Sequence, residues 1–117
     1  MKPAEIMSQE LVSVFDSTST RDAFKAMKEN QFRHLLVRDK SLRLVGVLSD
    51  RDLLRAPNID GNPVSHYMTR SIQSVDLQED LAHALKIMLD KEISCIIVTD
   101  QSRPIGILTN FTYRFLT

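Results

Sequence analysis

The chain has 117 residues, 43% of them hydrophobic and 26% charged. These are globular values, sized for one compact domain or two small halves sharing a core. Fifteen basic side chains balance fifteen acidic ones, which argues against a general nucleic-acid binder. No apolar run approaches a membrane span, and Met1-Lys2-Pro3 opens no signal peptide, so a cytoplasmic location is the expectation. The single cysteine, Cys95, leaves no internal disulfide and no metal-ligand cluster.

One pattern of about 50 residues occurs twice, which marks a tandem duplication. A shift of 61 carries Met7 onto Met68, Ser13-Val14 onto Ser74-Val75, Ala23 onto Ala84, Lys25 onto Lys86, Met27 onto Met88, Val37 onto Val98 and Asp39 onto Asp100. After one deleted residue the shift is 60, and Gly46-Val47-Leu48 falls on Gly106-Ile107-Leu108. The reading divides the chain into a first repeat at 1–56, a linker at 57–65 and a second repeat at 66–117.

In chain order, each repeat reads strand, helix, strand, strand, short helix. The first strand is placed at 11–14. The amphipathic helix that follows has Thr20, Ala23, Phe24 and Met27 spaced as one face, and a methionine on such a face reads as core packing. The runs 35–37 and 45–48 lack alternation and suit strands covered on both faces. Asp39-Lys40-Ser41 between them is turn material. Two prolines and a glycine across 56–63 interrupt any regular element and form the linker. The second copy repeats the order: a strand at 72–75, and a helix with Leu81, Ala84, Leu85 and Met88, its stripe extended by Leu89. Strands follow at 96–98 and 105–108, around the turn 100–104. Few residues remain after Thr109, so its last helix is expected to be stunted or frayed. Neither half is large enough for a sound core alone, so the two are expected to bury their sheets together. The fold class is therefore mixed α/β (α+β).

The stretch Gly46-Val47-Leu48-Ser49-Asp50-Arg51-Asp52 carries the most chemistry. A buried strand ends at Ser49 and a helix starts, leaving amide N–H groups for an anion. Asp52 can accept two hydrogen bonds from a ribose diol. Ser49-x-x-Asp52 equally fits a capping box, in which hydroxyl and carboxylate satisfy the helix start. The residues alone leave both readings open.

The doubled pattern, opened by Ile6-Met7-Ser8 and Tyr67-Met68-Thr69 and closed by Gly46-Val-Leu-Ser49-x-x-Asp52 and Gly106-Ile-Leu-Thr109, resembles a tandem CBS-domain pair (Bateman module). The resemblance covers residues 6–117. It implies two repeats packed sheet to sheet with pseudo-twofold symmetry and pairing of two copies into a flat homodimer. It also implies binding of adenosine-containing ligands such as AMP, ADP, ATP, S-adenosylmethionine or dinucleotides, although some members bind nothing known. By that resemblance Asp52 holds the ribose hydroxyls, Ser49 contacts phosphate, Val47 lines the wall, and Arg33 and His34 supply basic phosphate contacts. Thr69, Ile72 and Gln73 approach the base, and Ile93, Ser94 and Cys95 form the opposite lip. A second, weaker site would use Thr109, Ile107, Ser8, Leu11 and Phe32. There Thr112 replaces the family aspartate, and Ser94 and Cys95 stand where the first copy has Arg33 and His34.

The remaining candidates have plain alternatives. His34 can equally be a satisfied histidine at the core edge, while Arg33 beside it has the geometry that suits phosphate. His66 in the linker and His83 on a polar helix face read as solvated. Cys95 invites a nucleophile hypothesis, but no orienting group or oxyanion motif accompanies it, and it packs more naturally as a small hydrophobe. Arg51 and Arg55 read as surface charges, with Arg51 also able to reach a polyphosphate. Phe111, Tyr113 and Phe115 suit packing within the domain or across a dimer. No Walker-type loop, His-x-x-x-His or Cys-x-x-Cys is present.

The sequence thus points to a non-enzymatic regulatory module that needs no cofactor. It would bind AMP, ADP or ATP, the last with Mg²⁺ as an option, change conformation or assembly, and act on a separate effector protein. The alternative is a ligand-free dimerisation or protein-docking module. No nucleic-acid or membrane partner is expected.

Overall fold

The computed structural model describes residues 1–55 and 61–109. These build two three-stranded sheets with helices, a mixed α/β architecture. The chain separates into a continuous unit, residues 12–72, and a discontinuous one that joins residues 1–11 to those from 73 onward. The compact units are therefore not the sequence repeats: the opening segment of each copy belongs to the other copy's unit.

In the continuous unit, β1 (Ser13–Phe15) runs parallel to β2 (His34–Arg38), which pairs antiparallel with β3 (Leu44–Ser49). Between β1 and β2 lies α1 (Thr20–Asn30). The Ser19 side chain caps it by accepting from the Asp22 N–H at 3.0 Å, which meets one of the helix's orphan donors. The helix ends where Gln31 turns left-handed at φ 58° and the Phe32 N–H returns to the Met27 carbonyl at 3.0 Å, a Schellman closure. Ala23 and Met27 face Leu35, Val37 and Leu48, with Leu53, Val64 and Met68 completing the core. Residues 35–37 are buried without alternation, as expected for a strand covered on both faces. Phe24 does not join the buried stripe; it is 43% exposed.

The discontinuous unit repeats the plan. β4 (Ser74–Asp76) runs parallel to β5 (Cys95–Asp100), and β5 pairs antiparallel with β6 (Arg103–Thr109). Helix α3 (Leu81–Lys91), which follows α1 and the short α2 (Asp50–Leu54) in chain order, is capped by the Asp80 side chain and ends at Glu92, again left-handed at φ 53°. Leu81, Ala84 and Met88 pack on Val75, Ile96, Val98 and Leu108, whereas Leu89 lies 56% exposed. Residues 1–11 complete this unit. The Met1 carbonyl accepts the Leu81 N–H at 3.0 Å and Ser8 exchanges two backbone hydrogen bonds with Ile107, each 2.9 Å. Lys2 Nζ donates to the Gln78 carbonyl at 2.7 Å.

The deleted residue that changes the repeat shift lies in the β-hairpin. In the second copy Gln101 and Ser102 both take positive φ between the paired Asp100 and Arg103, a two-residue turn whose twist suits a hairpin. The first copy has one residue more, and Asp39 organises it. Its Oδ1 accepts the Ser41 and Arg43 N–H groups, both at 2.9 Å, and its Oδ2 accepts Arg43 Nε. The Arg43 backbone N–H, followed by the Arg43 side chain and the Ser41 N–H, holds this carboxyl below its ordinary range.

Part of the expected linker is described. Pro63 bridges to Ser19, the Asn62 carbonyl takes the Thr20 N–H at 2.8 Å, and Val64–His66 forms a short 3₁₀ turn. The rest of the linker and the expected terminal helix, with Phe111, Thr112, Tyr113 and Phe115, lie outside the described residues. Among the described residues no helix is long and apolar enough to cross a membrane.

Candidate functional site

The C-terminal end of β3 positions the main candidates. Gly46 lets the chain of residues 68–69 lie close against the strand, so that Val47 and Thr69 exchange two backbone hydrogen bonds of 3.0 and 2.9 Å. Two residues on, Ser49 pairs across the ladder with His34, and the Asp50 N–H reaches the Arg33 carbonyl at 2.9 Å. The chain then turns into α2 (Asp50–Leu54). Arg33, His34, Val47, Ser49, Asp52 and Thr69 thus gather around one strand end.

Asp52 is 4% exposed. Its Oδ2 accepts the Ser49 N–H at 2.8 Å, and its own N–H donates to the Ser49 hydroxyl at 3.1 Å. The capping-box reading of Ser49-x-x-Asp52 is therefore realised. The outer oxygen, Oδ1, meets the Arg55 guanidinium, whose side chain is 72% exposed. This ion pair, between α2 and the residue that caps its end, is a feature the sequence presents only as a surface charge. The three-residue spacing of Asp52 and Arg55 was the available signal. Burial pushes the His34 imidazole below its ordinary value of 6.5, with Arg33 adding to the effect and the Asp50 and Asp52 carboxylates opposing it.

Of the residues assigned to the main site, Arg33, His34, Val47, Ser49, Asp52, Thr69 and Ile72 lie in the continuous unit, whereas Gln73, Ile93, Ser94 and Cys95 lie in the other. In that second unit, Gln73 accepts the Ile97 N–H through its carbonyl at 3.0 Å, and Ile93 and Ser94 lead into β5 with Cys95 as its first residue. Cys95 pairs with Thr109, as His34 does with Ser49. The second-site residues Ser8, Leu11, Ile107 and Thr109 share this unit, and Ser8 and Ile107 are bridged. Phe32, assigned to the same set, belongs to the continuous unit. His66 is exposed, and His83, also exposed, stands 2.8 Å from Glu79 Oε2.

Comparison with known proteins gives one family twice: the CBS domain matches residues 4–58 and 64–111. An uncharacterised 17.7 kDa protein of Acidianus ambivalens is 33% identical over 92 residues, covering 76% of this chain and 56% of that protein. L-aspartate semialdehyde sulfurtransferase of Methanocaldococcus jannaschii is 25% identical over 107 residues, 91% of this chain but 21% of the enzyme. The chain therefore spans about half the length of the first of these relatives and a fifth of the second. Among solved structures, a CBS-domain protein of unknown function from Thermoplasma acidophilum, TA0289, superposes with a TM-score of 0.89 at 27% identity, covering 100% of this chain and 70% of that one. The CBS-domain pair of protein MJ0100, solved with 5′-methylthioadenosine and S-adenosylmethionine, gives 0.88 at 24% identity, covering 99% and 94%.

Proposed function

Since the chain belongs to the CBS-domain family, matched over both of its repeats, we propose that it binds an adenine nucleotide reversibly and signals the bound state to a separate effector protein. CBS-domain pairs are in general regulatory modules for adenosine-containing ligands rather than enzymes. The finer reading takes AMP, ADP or ATP as the ligand, the last with Mg²⁺ as an option, and a homodimer as the assembly.

One observation carries this reading: a carboxylate only 4% exposed stands beside Ser49, with His34 opposite Ser49 in the ladder and Arg33 adjacent. A hidden acid next to a hydroxyl, with an imidazole across the ladder and an arginine adjoining it in the chain, suits a ribose phosphate. Ser49 and Asp52 form the centre of the proposed site, with Arg33, His34, Val47, Thr69 and Ile72 around them. Gln73, Ile93, Ser94 and Cys95 enter on the family pattern. A weaker second site at Ser8, Leu11, Phe32, Ile107 and Thr109 belongs to the same proposal.

A different observation favours the ligand-free docking module: both carboxylate oxygens of Asp52 already have partners. Asp52→Asn separates the two. Asparagine keeps an oxygen for the Ser49 N–H, and removing the buried charge loses the pair with the exposed Arg55 but also its desolvation cost, so stability should change by about 1 kcal/mol or less. A ribose clamp would lose a charged acceptor worth about 1.5–3 kcal/mol, or roughly ten- to hundredfold in affinity. Thermal unfolding with AMP, ADP, ATP and S-adenosylmethionine is the test. A ligand at about 100 times its Kd adds ~2.7 kcal/mol. A shift with one of them that shrinks to about half or less in Asp52→Asn supports the proposal. No shift with any of them leaves the docking module.

A further inference from the structure

The Asp52–Arg55 pair joins a buried acid to an exposed base. Asp52 is held from behind by the Ser49 N–H, so Oδ2 is committed and Oδ1 is the oxygen a ligand can compete for. That oxygen is covered by the Arg55 guanidinium. Because 72% of the Arg55 side chain is in solvent against 5% for Asp52, the two partners differ in what separation costs them. Arg55 returns to water with little loss, as expected of a solvent-exposed ion pair. The carboxylate must receive new donors at once, because an unpaired buried charge is strongly unfavourable. Ribose hydroxyls can supply those donors. Helix α2, only five residues long, offers no dipole worth invoking, so the effect rests on these two side chains.

We propose that Arg55 is a displaceable occupant of the ribose position on Asp52, and that once displaced it pairs with an anionic group on the same ligand. This inference rests on the adenosine-ligand reading above and adds selectivity to it. A ligand with a diol but no anion must break the ion pair and gives the guanidinium only water in exchange. A ligand with a diol and a phosphate breaks the pair and replaces it, and guanidinium matches phosphate in charge and geometry. A cationic sulfonium in place of the phosphate would meet repulsion. The site is thereby set for phosphorylated nucleosides over adenosine, methylthioadenosine and S-adenosylmethionine, a selectivity that a plain ribose clamp would not give.

Titration calorimetry of AMP and adenosine against the wild-type chain, Arg55→Gln and Arg55→Lys tests this. In Arg55→Gln adenosine should bind several-fold more tightly, since its competitor is gone, while AMP should bind more weakly. The preference for AMP over adenosine should fall at least tenfold, and Arg55→Lys, which keeps the charge, should retain most of it. If both ligands bind but their ratio is unchanged in Arg55→Gln, the displacement idea is wrong and the adenosine-ligand reading stands. If neither ligand, nor ATP or S-adenosylmethionine, binds the wild-type chain, the reading fails and this inference with it.

Discussion

Adding a single methyl at Gly46 probes how tightly the repeat's opening segment closes on the sheet. A Cβ there would stand 2.6 Å from Met68 Sδ, 2.9 Å from its Cγ and 3.1 Å from the Thr69 carbonyl oxygen. The sulfur cannot simply swing into water, because Met68 is 9% exposed and part of the core. The carbonyl is tied to the Val47 N–H. Overpacking of this kind costs about 1–3 kcal/mol, and loosening the two Val47–Thr69 hydrogen bonds adds about 1 kcal/mol each at most. Glycine-to-alanine gives back about 0.5 kcal/mol through the unfolded chain. Gly46→Ala should therefore destabilise by about 3 kcal/mol, or roughly 12 °C in Tm for a chain of this size. At Gly61 an added Cβ would meet nothing within 4 Å among the described residues, and no described glycine has a positive φ. Gly61→Ala is thus the matched control and should be neutral or slightly stabilising. Urea unfolding of Gly46→Ala, Met68→Ala and the double variant completes the cycle. Met68→Ala alone should cost about 2–4 kcal/mol, and in its background the methyl should cost ~1–2 kcal/mol less. Strict additivity, or a Gly46→Ala no worse than Gly61→Ala, would refute the close-packing argument.

The Thr20 hydroxyl is fully buried and has no hydrogen-bond partner among the described residues, while the second copy places Leu81 at this position. Thr20→Val, measured by urea unfolding, should be neutral or stabilising by about 1 kcal/mol, since an unsatisfied buried hydroxyl is lost; a clear destabilisation would contradict that burial. His34 sets a pH dependence. Its folded value lies below 6.5, so the unfolded chain takes up the proton first. Stability should be complete above 6.5 and decline as the pH falls from there towards the folded value. His34→Gln should remove that part of the decline, and an unchanged profile would exclude His34 as its source.

Much of the architecture was legible because the two copies check each other. Helices 20–30 and 81–91 have equal lengths and equivalent left-handed ends at Gln31 and Glu92, as the shift of 61 requires. What misled was local apolar content. Leu11 and Val12 attracted the first strand, yet the paired ladder begins at Ser13, because register is set by the partner strand. Phe24 and Leu89 fitted the helical spacing but fall outside the buried stripe, which on these three-turn helices is only as wide as Ala23-Met27 and Ala84-Met88. The exchange of opening segments was hidden for another reason: a repeat shift tells which residues correspond, not on which copy they pack. At the candidate site, Ser49-x-x-Asp52 fits cap and clamp equally. Arg55 was visible only as a surface charge, since its importance comes from the burial of its partner.

The exchanged segment also orders events in time. The continuous unit has all of its strands once residue 72 has been made, whereas Ser8 must wait for Ile107 before its bridge can close. During synthesis from the N-terminus, residues 1–11 emerge well before the partners they pack against, and the Ser8–Ile107 bridge closes a loop that holds every strand of the continuous unit. Loop entropy and high contact order slow such a closure. We therefore expect the discontinuous unit to close after the continuous one, with the apolar Met7 waiting for that closure.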